Sequence, residues 1–107
     1  MYRLILKKLT AENLTFLFAQ DGNKGLQMIK ESRPELVISE INLPGLDFFK
    51  LIEEVKKLKR KTKFIIVTSE YTDEIYYKAR RFGVKFYFIK PFKSVKLLEA
   101  IKMVLKL

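Results

Sequence analysis

Leu36-Val37-Ile38-Ser39-Glu40 is the stretch on which the reading of this chain turns. Three apolar residues, two of them β-branched, run into a hydroxyl and a carboxylate. The run is too short for a helix and apolar to both sides of the backbone, as in a strand covered on both faces. Phe64-Ile65-Ile66-Val67 ahead of Thr68 and Phe86-Tyr87-Phe88-Ile89 ahead of Lys90 have the same character. Between these runs the period becomes helical. Leu51, Ile52, Val55 and Leu58 form a stripe behind an expected Asp47 cap, and Lys56, Lys57, Lys59 and Arg60 load its end, where cations suit the helix dipole. Ile75, Ala79 and Phe82 form a second stripe, opened by Thr72 with Asp73 and Glu74 and closed by Gly83. Leu97, Leu98, Ile101, Val104 and Leu105 make the last helix, with Ser94 as its expected cap, and Leu26 and Ile29 carry a shorter one between Asp21-Gly22 and Pro34. Strands alternating with helices imply right-handed βαβ units and an α/β fold. Ligands of such sheets sit outside the carboxyl ends of the strands, which points to Glu40, Thr68 and Lys90.

Composition narrows the chemistry. At 107 residues, 49% hydrophobic and 32% charged, the chain reads as one globular domain over residues 1–107. It has no cysteine, histidine or tryptophan, which removes disulfides, thiol nucleophiles, imidazole metal sites and triads built on imidazole. Its four glycines, Gly22, Gly25, Gly45 and Gly83, do not stand at nucleotide-binding spacing. No apolar run approaches the roughly 18 residues of a membrane span and no leader pattern opens the chain, so a cytoplasmic location and no membrane partner are expected. Lys+Arg total 22 against 12 Asp+Glu, a net charge of +10, which favours a polyanion or an acidic protein, or else serves solubility alone.

From Asn13 to Leu107 the chain resembles the receiver domain of two-component response regulators. The residues that carry the resemblance are Asp21-Gly22, Pro34 to Glu40 leading into Ile41-Asn42-Leu43-Pro44-Gly45-Leu46-Asp47, Ile65-Ile66-Val67-Thr68-Ser69, Gly83, and Phe86-Tyr87-Phe88-Ile89-Lys90-Pro91-Phe92. The resemblance implies a flavodoxin-like receiver fold, a parallel sheet flanked by helices on both faces. It puts Glu40 where the family carries its phosphoacceptor aspartate, Thr68 and Lys90 at the positions that contact the phosphoryl group, and Tyr87 at the switch aromatic. It implies a cis bond at Lys90-Pro91, and it would draw a backbone carbonyl from Asn42 to hold magnesium.

Two departures weigh against phosphoryl transfer. Glutamate is one methylene longer than aspartate, and a displacement of about 1 Å can cost about a hundredfold in a positioned reaction. The family's first strand, with its magnesium-binding acidic pair, has no counterpart before Asp21, because Tyr2, Ile5, Leu6 and Leu9 stand at helical spacing. The sequence therefore predicts four strands, with Leu14 to Ala19 against Leu36-Val37-Ile38 and a bare apolar edge that favours self-association. The alternatives that would also close the gap are a strand supplied by a partner, or an N-terminus that is extended after all.

The functional reading is a pseudo-receiver: a signal-transduction module of the two-component, phosphorelay type that is no enzyme, needs no cofactor and acts independently of phosphorylation. A Glu40···Lys90 pair would imitate the phosphorylated state, or would be a plain ion pair that keeps Lys90 from burial unpaired. The expected partners are a protein bound through the last two helices, a second copy as homodimer, and a histidine kinase. Lys78, Arg80, Arg81, Lys85, Lys90, Lys93, Lys96, Lys102 and Lys106 make that half the most basic, and Tyr71, Tyr76 and Tyr77 make it rich in aromatics. The alternatives are a phosphoacceptor receiver that uses magnesium, and a basic nucleic-acid-binding module; nucleic acid is the less favoured partner because no groove-reading motif is present.

Overall fold

The structure, a computed structural model, describes residues 4–9, 14–42 and 44–106, with side chains from Phe18 onward. Its elements follow in the order β1 (Leu4–Leu9), β2 (Leu14–Ala19), α1 (Gly22–Ser32), β3 (Leu36–Ser39), α2 (Phe48–Lys57), β4 (Lys63–Thr68), α3 (Asp73–Arg81), β5 (Phe86–Ile89) and α4 (Ser94–Leu105). The three runs read as buried strands are β3, β4 and β5, paired in parallel with Val37 opposite Phe64 and Ile66 opposite Tyr87.

Alternation along these strands divides the core. Val37, Ile66 and Tyr87 face α1, α2 and α3, in a cluster with Ile29, Phe48, Ile52 and Ala79. Leu36, Ile38, Ile65, Val67, Phe86 and Phe88 face α4, against Ala100, Ile101 and Leu97. Complete burial of large side chains such as Phe48 and Leu51 contributes on the order of 1.5–3 kcal/mol each.

The strand count is five, where the sequence reading expected four. The sheet order is β2-β1-β3-β4-β5, and β1 is antiparallel to both of its neighbours. The segment read at helical spacing is therefore a strand from Leu4 to Leu9, Tyr2 lies outside the described residues, and Leu14–Ala19 is separated from β3 instead of lying against it. The physical reason is the inner position of β3. All four of its residues are buried, so the backbone groups on its open edge cannot be left to water, and β1 supplies their partners with Ile5 opposite Ile38. The extended alternative is the one realised, and β2 becomes the edge strand.

Local chemistry sets the helix starts. Asp21, Asp47 and Thr72 each accept a hydrogen bond from a first-turn amide, of Lys24, Lys50 and Ile75 respectively. The expected Ser94 cap is not formed: Ser94 is the first helical residue of α4, and Lys93 before it makes no side-chain cap bond. Gly83 closes α3 with φ +91°, a conformation that favours glycine. Arg60 ties the far end of the molecule together, its guanidinium donating to the carbonyls of Ile29 and Lys30 at the end of α1.

The loop after β3 rests on the start of α1. The Gly22 amide donates to the Pro44 carbonyl at 2.9 Å, and a Cβ on Gly22 would stand 2.3 Å from the Leu46 carbonyl oxygen. Gly22→Ala is therefore expected to force the loop away at a cost of about 1–3 kcal/mol, lowering the thermal midpoint by several degrees. An unchanged midpoint in a calorimetric melt would show that this contact is dispensable.

Candidate functional site

The carboxyl ends of β3, β4 and β5 deliver Glu40, Thr68 and Lys90 to one end of the sheet. Lys90 begins where β5 stops, and its amide donates to the Thr68 carbonyl at 2.8 Å, which fixes the two strand ends together. Across the site the Lys90 Nζ donates to Glu40 Oε1 as a charge-assisted hydrogen bond. The Glu40 side chain retains only 17% of its exposure and that of Lys90 39%, so the carboxylate is the more enclosed partner. A carboxylate so enclosed is stabilised by a cation at contact; without one it would meet the desolvation penalty alone. The Lys90-Pro91 bond is cis.

Thr68 is 1% exposed, and its hydroxyl turns along the chain to accept the Glu70 amide at 3.2 Å. Among the described residues no hydrogen bond joins this hydroxyl to Glu40. The β4–α3 loop is held a second time, because the Tyr87 hydroxyl donates to the Glu70 carbonyl at 2.9 Å. The Tyr87 ring meets Tyr71 and Tyr76 edge-on at centroid distances of 6.1 and 5.7 Å. Glu40 and Lys90 are thus joined through the end of β4 to a tyrosine cluster that reaches α3. The aromatic density of this half is legible in the sequence, whereas the acceptor for Tyr87 is a backbone oxygen and leaves no mark there.

Among the described residues no three Asp or Glu side chains converge, and the nearest carboxylate to Lys90, that of Glu40, is already engaged by a cation. Asn42, whose carbonyl the resemblance would use, lies exposed in the loop beyond β3.

The comparisons agree with this architecture. The family model of the response regulator receiver domain matches residues 1–102. The chain therefore belongs to the receiver-domain family of two-component response regulators. It is 26% identical over 87 residues to the transcriptional regulatory protein YesN of Bacillus subtilis, covering 81% of this chain and 24% of YesN. It is 32% identical over 90 residues to the chemotaxis protein CheY of Treponema pallidum, covering 82% of this chain and 62% of that protein. Among solved structures, a CheY-like receiver domain protein of Methanospirillum hungatei superposes with a TM-score of 0.72 at 30% identity, covering 80% of this chain and 69% of that one. This chain thus spans less than two thirds of YesN and of that CheY. No helix among the described residues is long and apolar enough to cross a membrane.

Burial, and secondarily the charge of Glu70, push the Tyr87 phenol above its ordinary value of 10.0. Tyr71 is raised as well, first by its hydrogen bond to Asp73. A phenol raised in the folded state adds stability that is fully present below the unfolded value and is lost as pH rises through the folded one. Wild-type protein is therefore expected to lose stability above about pH 10 more steeply than Tyr87→Phe. The variant should also be about 0.5–1.5 kcal/mol less stable at neutral pH through loss of the hydroxyl bond. Denaturant melts across this range, with phenolate absorbance followed in parallel, check both; identical alkaline limbs would show that the hydroxyl is not held in solution.

Proposed function

We propose that this receiver domain is a phosphorylation-independent interaction module whose own Glu40–Lys90 pair holds it in one signalling state. The observation that carries this reading is the Lys90 Nζ bonded to Glu40 Oε1. In the family the matching lysine pairs with a phosphorylated aspartate; here glutamate, one methylene longer, presents a fixed negative charge to the same ammonium. The reading needs neither magnesium nor a phosphodonor. Transmission runs through the Thr68–Glu70–Tyr87 connections to α3, where a change at the strand ends alters what the helix presents.

The partner in this reading is a cytoplasmic signalling protein, with a histidine kinase or a second copy as the candidates, bound through the last two helices. Exposed apolar side chains on α3 and α4, Tyr77 at 60%, Val95 at 53% and Leu98 at 48%, support that surface.

Incubation with acetyl phosphate and Mg²⁺ followed by intact-mass measurement is expected to leave the mass unchanged. A gain of one phosphoryl group that Glu40→Gln abolishes would make Glu40 an acceptor and overturn the proposal. In sedimentation at micromolar concentration the wild type is expected to self-associate, with Glu40→Gln shifted toward monomer and Glu40→Asp intermediate. Identical behaviour of all three would leave the pair a structural tie with no signalling role.

A further inference from the structure

Two neighbouring residues of β2 meet opposite surroundings. Ala19 is 2% exposed and packs in one cluster with Ile29 and Val37, whereas Phe18 is 44% exposed. Register explains the contrast. Phe18 stands opposite Ile5 and Ile5 opposite Ile38, and residues directly opposite one another share a face of the sheet. Phe18 therefore lies on the side of Ile38, the side on which α4 packs. Phe16, two residues earlier along β2, is placed on the same face. The helices are divided unequally between the two faces. α1, α2 and α3 pack on the side of Val37, and α4 alone packs on the side of Ile38, against β3, β4 and β5. Strands lie about 4.8 Å apart and a helix is about 10 Å across, so a single helix cannot cover five strands. The exposure of Phe18 shows that the cover stops short of β2.

The uncovered area has the form of a step, with the β1–β2 face as floor and α4 as riser. Met103 lines a cleft with Lys85 and Phe86 and so marks the flank of α4 turned toward β5. Leu98 is about 140° from Met103 around the helix, which sets it on the other flank, toward β3 and β1. It is 48% exposed there. An antiparallel ribbon left to water alternates apolar residues inward with polar ones outward. β2 does the reverse, with Phe16 and Phe18 on the uncovered face and Thr15 on the face of Ala19. Apolar floor and apolar riser meet at an angle that only a rod-shaped partner fills.

We propose that this step binds an acidic amphipathic helix of another protein. The floor is two strands wide and six residues long, about 20 Å, which matches one helix of about 13 residues. An apolar stripe at helical spacing would bury Phe18 and Leu98 together, the helix-in-groove mode of recognition. Charge selects the sign of the partner. Lys102 borders the step one turn from Leu98, and Lys7 stands on the floor between Leu36 and Phe16 in the register. The helix dipole gives Lys102 a reason to be basic, but Lys7, inside a strand, has no such reason. A second copy would bring another +10 to this face, and its strand at the β2 edge would lengthen the sheet without covering the floor. A flat membrane surface would rest on α4 and fail to reach the floor about 10 Å below.

The test is fluorescence anisotropy of the full chain with a labelled synthetic peptide of about 16 residues, leucine at i, i+3, i+4 and i+7 and glutamate and alanine elsewhere. Wild type is expected to bind it at least about tenfold more tightly than a shuffled peptide of the same composition, or one with lysine in place of glutamate. Phe18→Asp and Leu98→Asp should each weaken binding at least about fivefold, and Met103→Asp, on the other flank of α4, less than about twofold. Leu98→Asp changes an exposed side chain and guards against a Phe18 variant that does not fold. Lys102→Glu should weaken binding about threefold at 50 mM salt and less at 200 mM. No binding, equal binding of the shuffled peptide, or equal losses in Met103→Asp and Leu98→Asp would each overturn the proposal. So would a dimer that Phe18→Asp disperses, which would put a second copy in the step, or tighter binding to phosphatidylserine vesicles than to the peptide.

Discussion

Backbone pairing of β3 on both edges is the constraint from which the rest follows. A strand with every residue buried cannot present unpaired amides and carbonyls to the core, because each costs on the order of 1–3 kcal/mol when desolvated without a partner. β4 satisfies one edge in parallel and β1 the other in the antiparallel sense. Once both edges are closed, alternation along β3 sends Val37 to one layer and Leu36 and Ile38 to the other, and the positions of α2 and α4 follow from those two faces. The strand then ends at Ser39, and Glu40 just beyond it has its carboxylate against Lys90 at the end of β5.

That placement makes the site a matter of charge held in a partly dry enclosure. The Glu40–Lys90 pair needs the β4 and β5 ends to stay in register, and the backbone bond from Lys90 to Thr68 keeps them so. The tyrosine cluster carries the same geometry outward by ring contacts and one hydroxyl bond. Few side chains are involved, and Thr68 and Tyr87 are both anchored to the backbone of Glu70.

Much of this was legible in the residues and some was not. The runs at Leu36, Phe64 and Phe86 announced β3, β4 and β5 because apolar residues on both sides of a short segment leave few other choices. Asp47 and Thr72 marked helix starts because their side chains satisfy orphan amides. Leu4-Ile5-Leu6-Lys7-Lys8-Leu9 was ambiguous, since its apolar residues fit the helical period and a strand alike, and the decision lay with a tertiary demand, the open edge of β3. Ser94 resembled a cap but lies one position inside α4.

The reversed direction of β1 also decides which end of the sheet Leu4 meets. Leu4 stands opposite Ser39, one residue from Glu40, whereas Lys106 lines a cleft with Lys63 and Lys85 at the other end. A bulky group placed on the backbone at Leu4 would therefore fall near the Glu40–Lys90 pair, and one placed at Lys106 would fall in the cleft that Lys63 and Lys85 also line. The two ends of the sheet can thus be obstructed one at a time.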